Sequence, residues 1–214
     1  MRQEVQIHQA KSGLPVLIVR GCATASSVDP TAEAERWFKQ IEPQVRDLSG
    51  TARVGVLGLG SGYHIEVLAR EIKNQIIVFD SDPALAASSD WFADRFPAHV
   101  SLKFVDVEAD TASFFSDDDV RTFISNRIVL LRHKPSFLRD QRGLTTLGNW
   151  LTGRDRMSLN AHLQSRAEFS ALVDCDRQSG EWLLSVKDLS RLWKVEAEVS
   201  EQRRLFRILE ELVR

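Results

Sequence analysis

Between residues 52 and 132, short and almost wholly apolar runs alternate with amphipathic stretches, and few folds accept that order. The runs "RVGVLGLG", "QIIVFD", "VSLKFVDV" and "RIVLLR" are too short for a multi-turn helix and rich in β-branched residues. A strand that is apolar at nearly every position has both faces covered, as in a parallel sheet sandwiched between helices. Between the runs, "YHIEVLAREIK" puts Ile65, Leu68 and Ile72 on one helical stripe. Asp82-Pro83 supplies a cap and a first-turn proline for a helix over "ALAASSDWFADRF". "TASFFSDDDVRTFI" reads as a short helix and a polar connector. This alternation predicts right-handed βαβ units in one mostly parallel sheet, an α/β fold of three layers.

The flanks read differently. "EVQIHQAKSGLPVLIV" alternates at Val5 and Ile7, passes Ser12-Gly13 and enters an apolar run, which predicts a β-hairpin. A helix follows in "SSVDPTAEAERWFKQIEPQV". Asp29-Pro30 starts it, Glu33 and Glu35 sit early where the helix dipole favours them, and Trp37, Phe38 and Ile41 form its apolar face. Pro43 is expected to disturb or end it. Beyond the fourth apolar run, "SFLRDQRGLTTLGNWL" and "SLNAHLQSRAEFSALV" read as mostly helical. A hairpin is expected over residues 170–186, around the turn-rich stretch 176–180. A long amphipathic helix is expected over 187–214, with Leu189, Leu192, Trp193, Leu205, Ile208, Leu209 and Leu212 on one stripe. That helix packs on its own domain or on a second copy of the chain; a homodimer through it is one expectation.

Charge and composition exclude several classes. With 28 Lys and Arg against 30 Asp and Glu, the net charge is −2, which gives no general attraction to nucleic acid or anionic membrane. No apolar run approaches the roughly 18 residues that cross a bilayer. The polar start "MRQEVQIHQAKSG" does not read as a signal peptide, so a cytoplasmic location is expected. Cys22 and Cys175 read as free thiols, too few for a structural zinc site, and no metal site is expected.

The residues most suggestive of chemistry are Gly58, Gly60 and Gly62, at the turn from the first apolar run into the next helix. Glycines there let a ligand approach the main chain, and helix N-terminal amides point at the gap. Asp80 ends the following strand, close to the roughly 20-residue separation at which an acid meets ribose hydroxyls. Tyr63 stands where a dinucleotide fingerprint needs glycine, and "GSGYHIE" lacks the lysine of a P-loop. Leu59 stands where a nucleophile elbow around Ser61 needs glycine. An adenosine-type pocket that grips no phosphate is what remains.

On these residues the chain resembles the class I S-adenosylmethionine-dependent methyltransferases, a Rossmann-like fold. "VLGLGSG" is similar to that family's first motif and "IIVFDSDP" to its second. The resemblance implies S-adenosylmethionine as cofactor, bordered by Gly58, Leu59, Gly60, Ser61, Gly62 and Tyr63. It further implies ribose at Asp80 and Ser81 and adenine near Asp106. Two departures stand out. Val56 occupies the place of the family's usual acid, and "RHKPSF" follows the fourth strand where Asn or Asp with Pro-Pro is common. No catalytic residue is assigned.

A narrower resemblance covers roughly residues 5–140. The hairpin, "DPTAEAERW", "GYHIE" and "IIVFDSDPAL" are similar in order and spacing to the leading domain of motility-associated-factor proteins. Those proteins are linked to flagellin glycosylation and related to the hydroxymethylpterin diphosphokinase-like group. The organisation expected is a hairpin and helix over 1–50 packed on the main domain, a Rossmann-like nucleotide-binding domain over 51–150, and an extension over 151–214. About 70 residues follow the resemblance, too few for that family's larger transferase domain.

Each motif also has a purely structural reading. The glycines serve tight packing, Asp80 and Asp82 cap turns, and Asp106 is a solvated strand end. His64 and His133 are hydrogen-bonded side chains, not acids or bases, and "SDDDV" is a solvated cap. The functions that follow are a methyltransferase acting on an unknown substrate, a non-catalytic module of a flagellin or surface-glycosylation system, and a pterin or sugar-nucleotide transferase.

Overall fold

The computed structural model describes residues 5–108, 111–125, 128–154, 158–159 and 161–162. The chain opens with β1 (Val5–Gln9) and β2 (Pro15–Val19), antiparallel around Gly13, whose φ is 83°. A third strand, β3 (Cys22–Ala23), pairs with β2 and was not expected from the sequence. Arg20 and Gly21 join the two with φ of 52° and 78°. A two-residue hairpin loop of this kind needs left-handed backbone at both positions.

Asp29 caps α1 (Pro30–Val45), its carboxylate accepting the Ala32 amide at 2.9 Å. Trp37 and Ile41 are buried and Phe38 half-buried, as the apolar stripe predicts. Pro43 does not end the helix. It sits in the last turn, where a missing N–H costs only one bond, and buried Ile41 and Val45 on either side hold that turn down.

Among the described residues the main sheet is all parallel. It consists of β4 (Arg53–Leu57), β5 (Ile76–Asp80), β6 (Val100–Phe104) and β7 (Ile128–Arg132), in the order β6-β5-β4-β7. The helix α2 (Tyr63–Glu71) follows β4; Ile72 is buried but lies just past its end, in extended backbone. After β5 the expected single helix is broken into α3 (Pro83–Ala86) and a 3-10 turn at Ser89–Phe92. Ser88 lies at the break, its hydroxyl donating back to the Ala84 carbonyl, and serine competes poorly for helix. The "SDDDV" stretch is no mere connector. It separates α4 (Thr111–Ser116) from a second helix, α5 (Asp118–Ser125). After β7 come α6 (Lys134–Arg139) and α7 (Gln141–Thr152).

Strand periodicity divides the core in two. Val54, Val56, Ile76 and Val78 face a cluster with Leu17, Trp37, Ile41, Ile65 and Leu68. Leu57, Ile77 and Phe79 face the opposite cluster, with Phe123, Ile124, Leu144 and Leu147. Helices therefore flank both faces of the sheet, the reason β4 and β5 read as apolar throughout. Gly55 belongs to the second face, where a Cβ would come within 2.6 Å of the Phe123 ring. Every described residue lies in the unit Met1–His162; the expectations for 170–186, 187–214 and Cys175 fall outside the described residues. Among the described residues no helix is long and apolar enough to cross a membrane.

Candidate functional site

Strand order reverses at β4, whose neighbours are β5 on one side and β7 on the other. In open α/β sheets, ligands collect outside the carboxyl ends of the strands at such a reversal. Gly58, Gly60 and Gly62 stand there, with φ of 97°, 52° and 88°. The turn is left-handed at all three glycines, and its immediate neighbours belong to the chain. A Cβ on Gly58 would collide with Ser136. On Gly60 it would lie 2.6 Å from the Thr24 carbonyl oxygen, and on Gly62 3.0 Å from the Phe96 ring. Residues 58–65 are all buried.

The N-terminal sheet lies against this turn. Ser61 Oγ accepts the Leu17 amide at 3.0 Å and lies 2.6 Å from Thr24 Oγ1. The Thr24 hydroxyl donates to the Leu17 carbonyl, so the Ser61 hydroxyl is the donor between the two. Tyr63 donates its phenol to the Pro15 carbonyl at 2.6 Å. On the other side, Arg95 donates to the Ser61 carbonyl and to Glu66, with its guanidinium 5.1 Å from the Tyr63 ring centroid.

Asp80 is 1% exposed. Its Oδ2 accepts the Leu59 amide at 2.7 Å and faces Arg139 Nη2 at 3.4 Å; its Oδ1 accepts the Asp82 amide at 2.9 Å. Burial pushes the carboxyl up from its ordinary range, while Arg139 and the two amides pull against it. Asp82, also 1% exposed, accepts the Ala84 amide, Arg20 Nη2 at 3.1 Å and Arg139 Nε at 3.1 Å. Ser81 donates to Asp140 at 2.5 Å. Asp106 is exposed and accepts the Glu108 amide, 3.0 Å away, at the carboxyl end of the neighbouring strand.

Two histidines complete the edge. His64 and His133 stack with ring centroids 3.7 Å apart and planes 3° from parallel, and the Trp37 ring meets each edge-on. His64 Nε2 donates to the Gly58 carbonyl at 3.0 Å, and His133 Nδ1 shares a hydrogen bond of 2.8 Å with Ser136 Oγ. Burial drives the His64 pKa down to about 3. Burial, with the nearby His64 and Arg139, drives His133 well below its ordinary value. Both rings are therefore neutral hydrogen-bonding groups at neutral pH, and neither is poised as an acid or base.

The fold thus gathers Gly58, Leu59, Gly60, Ser61, Gly62, Tyr63, Asp80 and Ser81 around one edge, with Asp106 at its exposed margin. A ribose diol at Asp80 would have to displace the Arg139 guanidinium and share the carboxylate with the Leu59 and Asp82 amides. Sequence reasoning missed Thr24, Ser136, Arg139 and Asp140, all distant in the chain from the turn they fill. The one available signal was charge: "FDSDP" holds two acids with no cation beside them, and two such acids inside a fold need one from elsewhere. "SDDDV" has a structural use: Asp117 accepts the amides of Asp119 and Val120, and both Asp117 and Asp119 pair with Lys103 at 2.8 Å. Among the described residues, no group of three or more His, Cys, Asp or Glu could hold a metal ion. A scan against protein-family models and a search of curated proteins each found no match.

Proposed function

We propose that this chain is a non-catalytic binding or scaffold module serving a flagellin or surface-glycosylation system. In this reading its sheet is of the Rossmann-like, methyltransferase type, and the edge that takes nucleosides in that type has become internal structure. One observation carries the reading: the acid and the glycines that a nucleoside would use are already engaged by Arg139, Ser136, Thr24 and Phe96. Val56, in place of an acid, and "RHKPSF", in place of a catalytic segment, agree with it. The link to glycosylation rests on the order of "DPTAEAERW", "GYHIE" and "IIVFDSDPAL".

The test has two arms. Melting temperature is followed with millimolar S-adenosylmethionine and S-adenosylhomocysteine. The expected result is no shift; a ligand at a hundred times its dissociation constant would stabilise by about 2.7 kcal/mol, and such a shift would overturn the proposal. In the host, deleting the gene lowers the intact mass of flagellin by its glycans; an unchanged mass removes the glycosylation link.

The second reading, a methyltransferase binding S-adenosylmethionine, is favoured by a single feature. The Asp80 carboxylate reaches the Leu59 amide within a left-handed glycine turn, the main-chain arrangement that brings a nucleoside close. A melting shift in the first arm selects it.

A further inference from the structure

We propose that α6 is a strap whose Arg139 guanidinium fills, from inside the chain, the place beside Asp80 that this strand order offers to a ribose. The inference rests on the module reading above and names the device that keeps the edge closed. The topology supplies the first argument. The helix α6 begins immediately after β7, on one side of the reversal, while Asp80 ends β5 on the other. Arg139 therefore reaches across the end of β4, where a bound ligand would lie.

The second argument is chemical. A ribose presents two hydroxyl donors to an acid. Arg139 presents two N–H donors, Nε to Asp82 Oδ2 at 3.1 Å and Nη2 to Asp80 Oδ2 at 3.4 Å. The guanidinium also cancels charge, which a diol does not, and that suits a site with two buried carboxylates and Arg20 attached only to Asp82.

The third argument is the fit. The Arg139 side chain is 6% exposed, and its Nη1 is buried with no hydrogen-bond partner. Buried donors in a settled ion pair are normally satisfied. An occupant that leaves one donor unused, and holds Asp80 at 3.4 Å, fills the seat without being matched to it. The helix that carries it has only six residues, with Ser136 buried, Leu138 78% exposed, and the next residue, Asp140, tied to Ser81.

A seat filled by a side chain should accept the same group as a free molecule once the side chain is cut away. The experiment compares the full wild-type chain with Arg139→Ala, following melting temperature against millimolar methylguanidinium, with tetramethylammonium as the control for charge and ionic strength. Arg139→Ala is expected to melt roughly 6–20 °C lower, as for a buried pair broken on one side. Methylguanidinium then raises its melting temperature with concentration, tetramethylammonium does not, and the wild type responds to neither. Should Arg139→Ala yield no folded protein, the charge-balanced pair Arg139→Ala with Asp82→Asn replaces it, with the same response expected at Asp80. Equal responses in wild type and variant, or no response in either variant, overturn the strap. The module reading fails on a different measurement, the response of wild type to the nucleosides, so the two failures are distinguishable.

Discussion

Asp80 and the stacked histidines show how one side chain's fate depends on its surroundings. The distance of Asp80 from Gly58 in the chain suggests a ribose acceptor; in the fold its carboxylate ties β5 to the glycine turn and to α6. Replacing it with asparagine strips Arg139 of one counter-charge inside the fold. Asp80→Asn is expected to lose about 1–3 kcal/mol in urea denaturation, because Arg139 keeps Asp82 while the Leu59 and Asp82 amides lose a charged acceptor; an unchanged midpoint would mean that the carboxylate is solvated. His64 and His133 give a pH signature. Folded, both stay neutral far below the ordinary imidazole range, while in the unfolded chain they take up protons near pH 6.5. The unfolded state then binds more protons, so the stability linked to the pair is complete above about pH 6.5 and drains as pH falls toward the folded values. Each ring contributes a slope approaching about 1.4 kcal/mol per pH unit. Urea midpoints that stay flat between about pH 7 and pH 5 would contradict the buried stack.

The glycine turn between β4 and α2 is legible in the sequence as a turn, while its left-handed backbone at Gly58, Gly60 and Gly62 is decided in the fold. What it touches is not legible, because Ser136, Thr24 and Phe96 come from three other parts of the chain. A pair of substitutions separates backbone strain from packing. Gly13 has φ of 83° and open space around its missing Cβ; Gly58 has φ of 97° and Ser136 against it. Gly13→Ala should cost about 1–2 kcal/mol, the backbone term alone. Gly58→Ala should cost about 1–3 kcal/mol more, the added cost of overpacking. Were the turn an open ligand cleft, the two would cost the same, and the comparison of their denaturation midpoints decides it. The same limit explains the broken helix after Asp82. The cap is written in Asp82-Pro83, but no local rule says that Phe92 and Phe96 must come down beside the glycine turn.

For the whole molecule, the hairpin and α1 are not an appendage to the sheet. Leu17 and Val19 belong to the same core as Val54 and Val78, and Trp37 donates to the Arg132 carbonyl at 3.0 Å from α1. Removing residues 1–28 would uncover that core and strand the Ser61 and Tyr63 hydroxyls. The truncated chain is expected to lose its cooperative thermal transition, read by far-ultraviolet circular dichroism. A sharp melt near the wild-type temperature would mark the hairpin as a separable domain.

The residues of "RVGVLGLGSGYHIEVL" and "IIVFDSDP" were enough to specify strands, a glycine turn, a cap and a parallel sheet, because each depends on neighbours a few positions away or on simple periodicity. The occupants of the carboxyl edge were out of reach of such reasoning. Arg139 meets Asp80 across a separation of 59 residues and Thr24 meets Ser61 across 37, and such meetings follow from how helices and sheets stack, not from local preference. Local energetics write the elements, whereas the partner of a buried charge is settled only when the layers close over it.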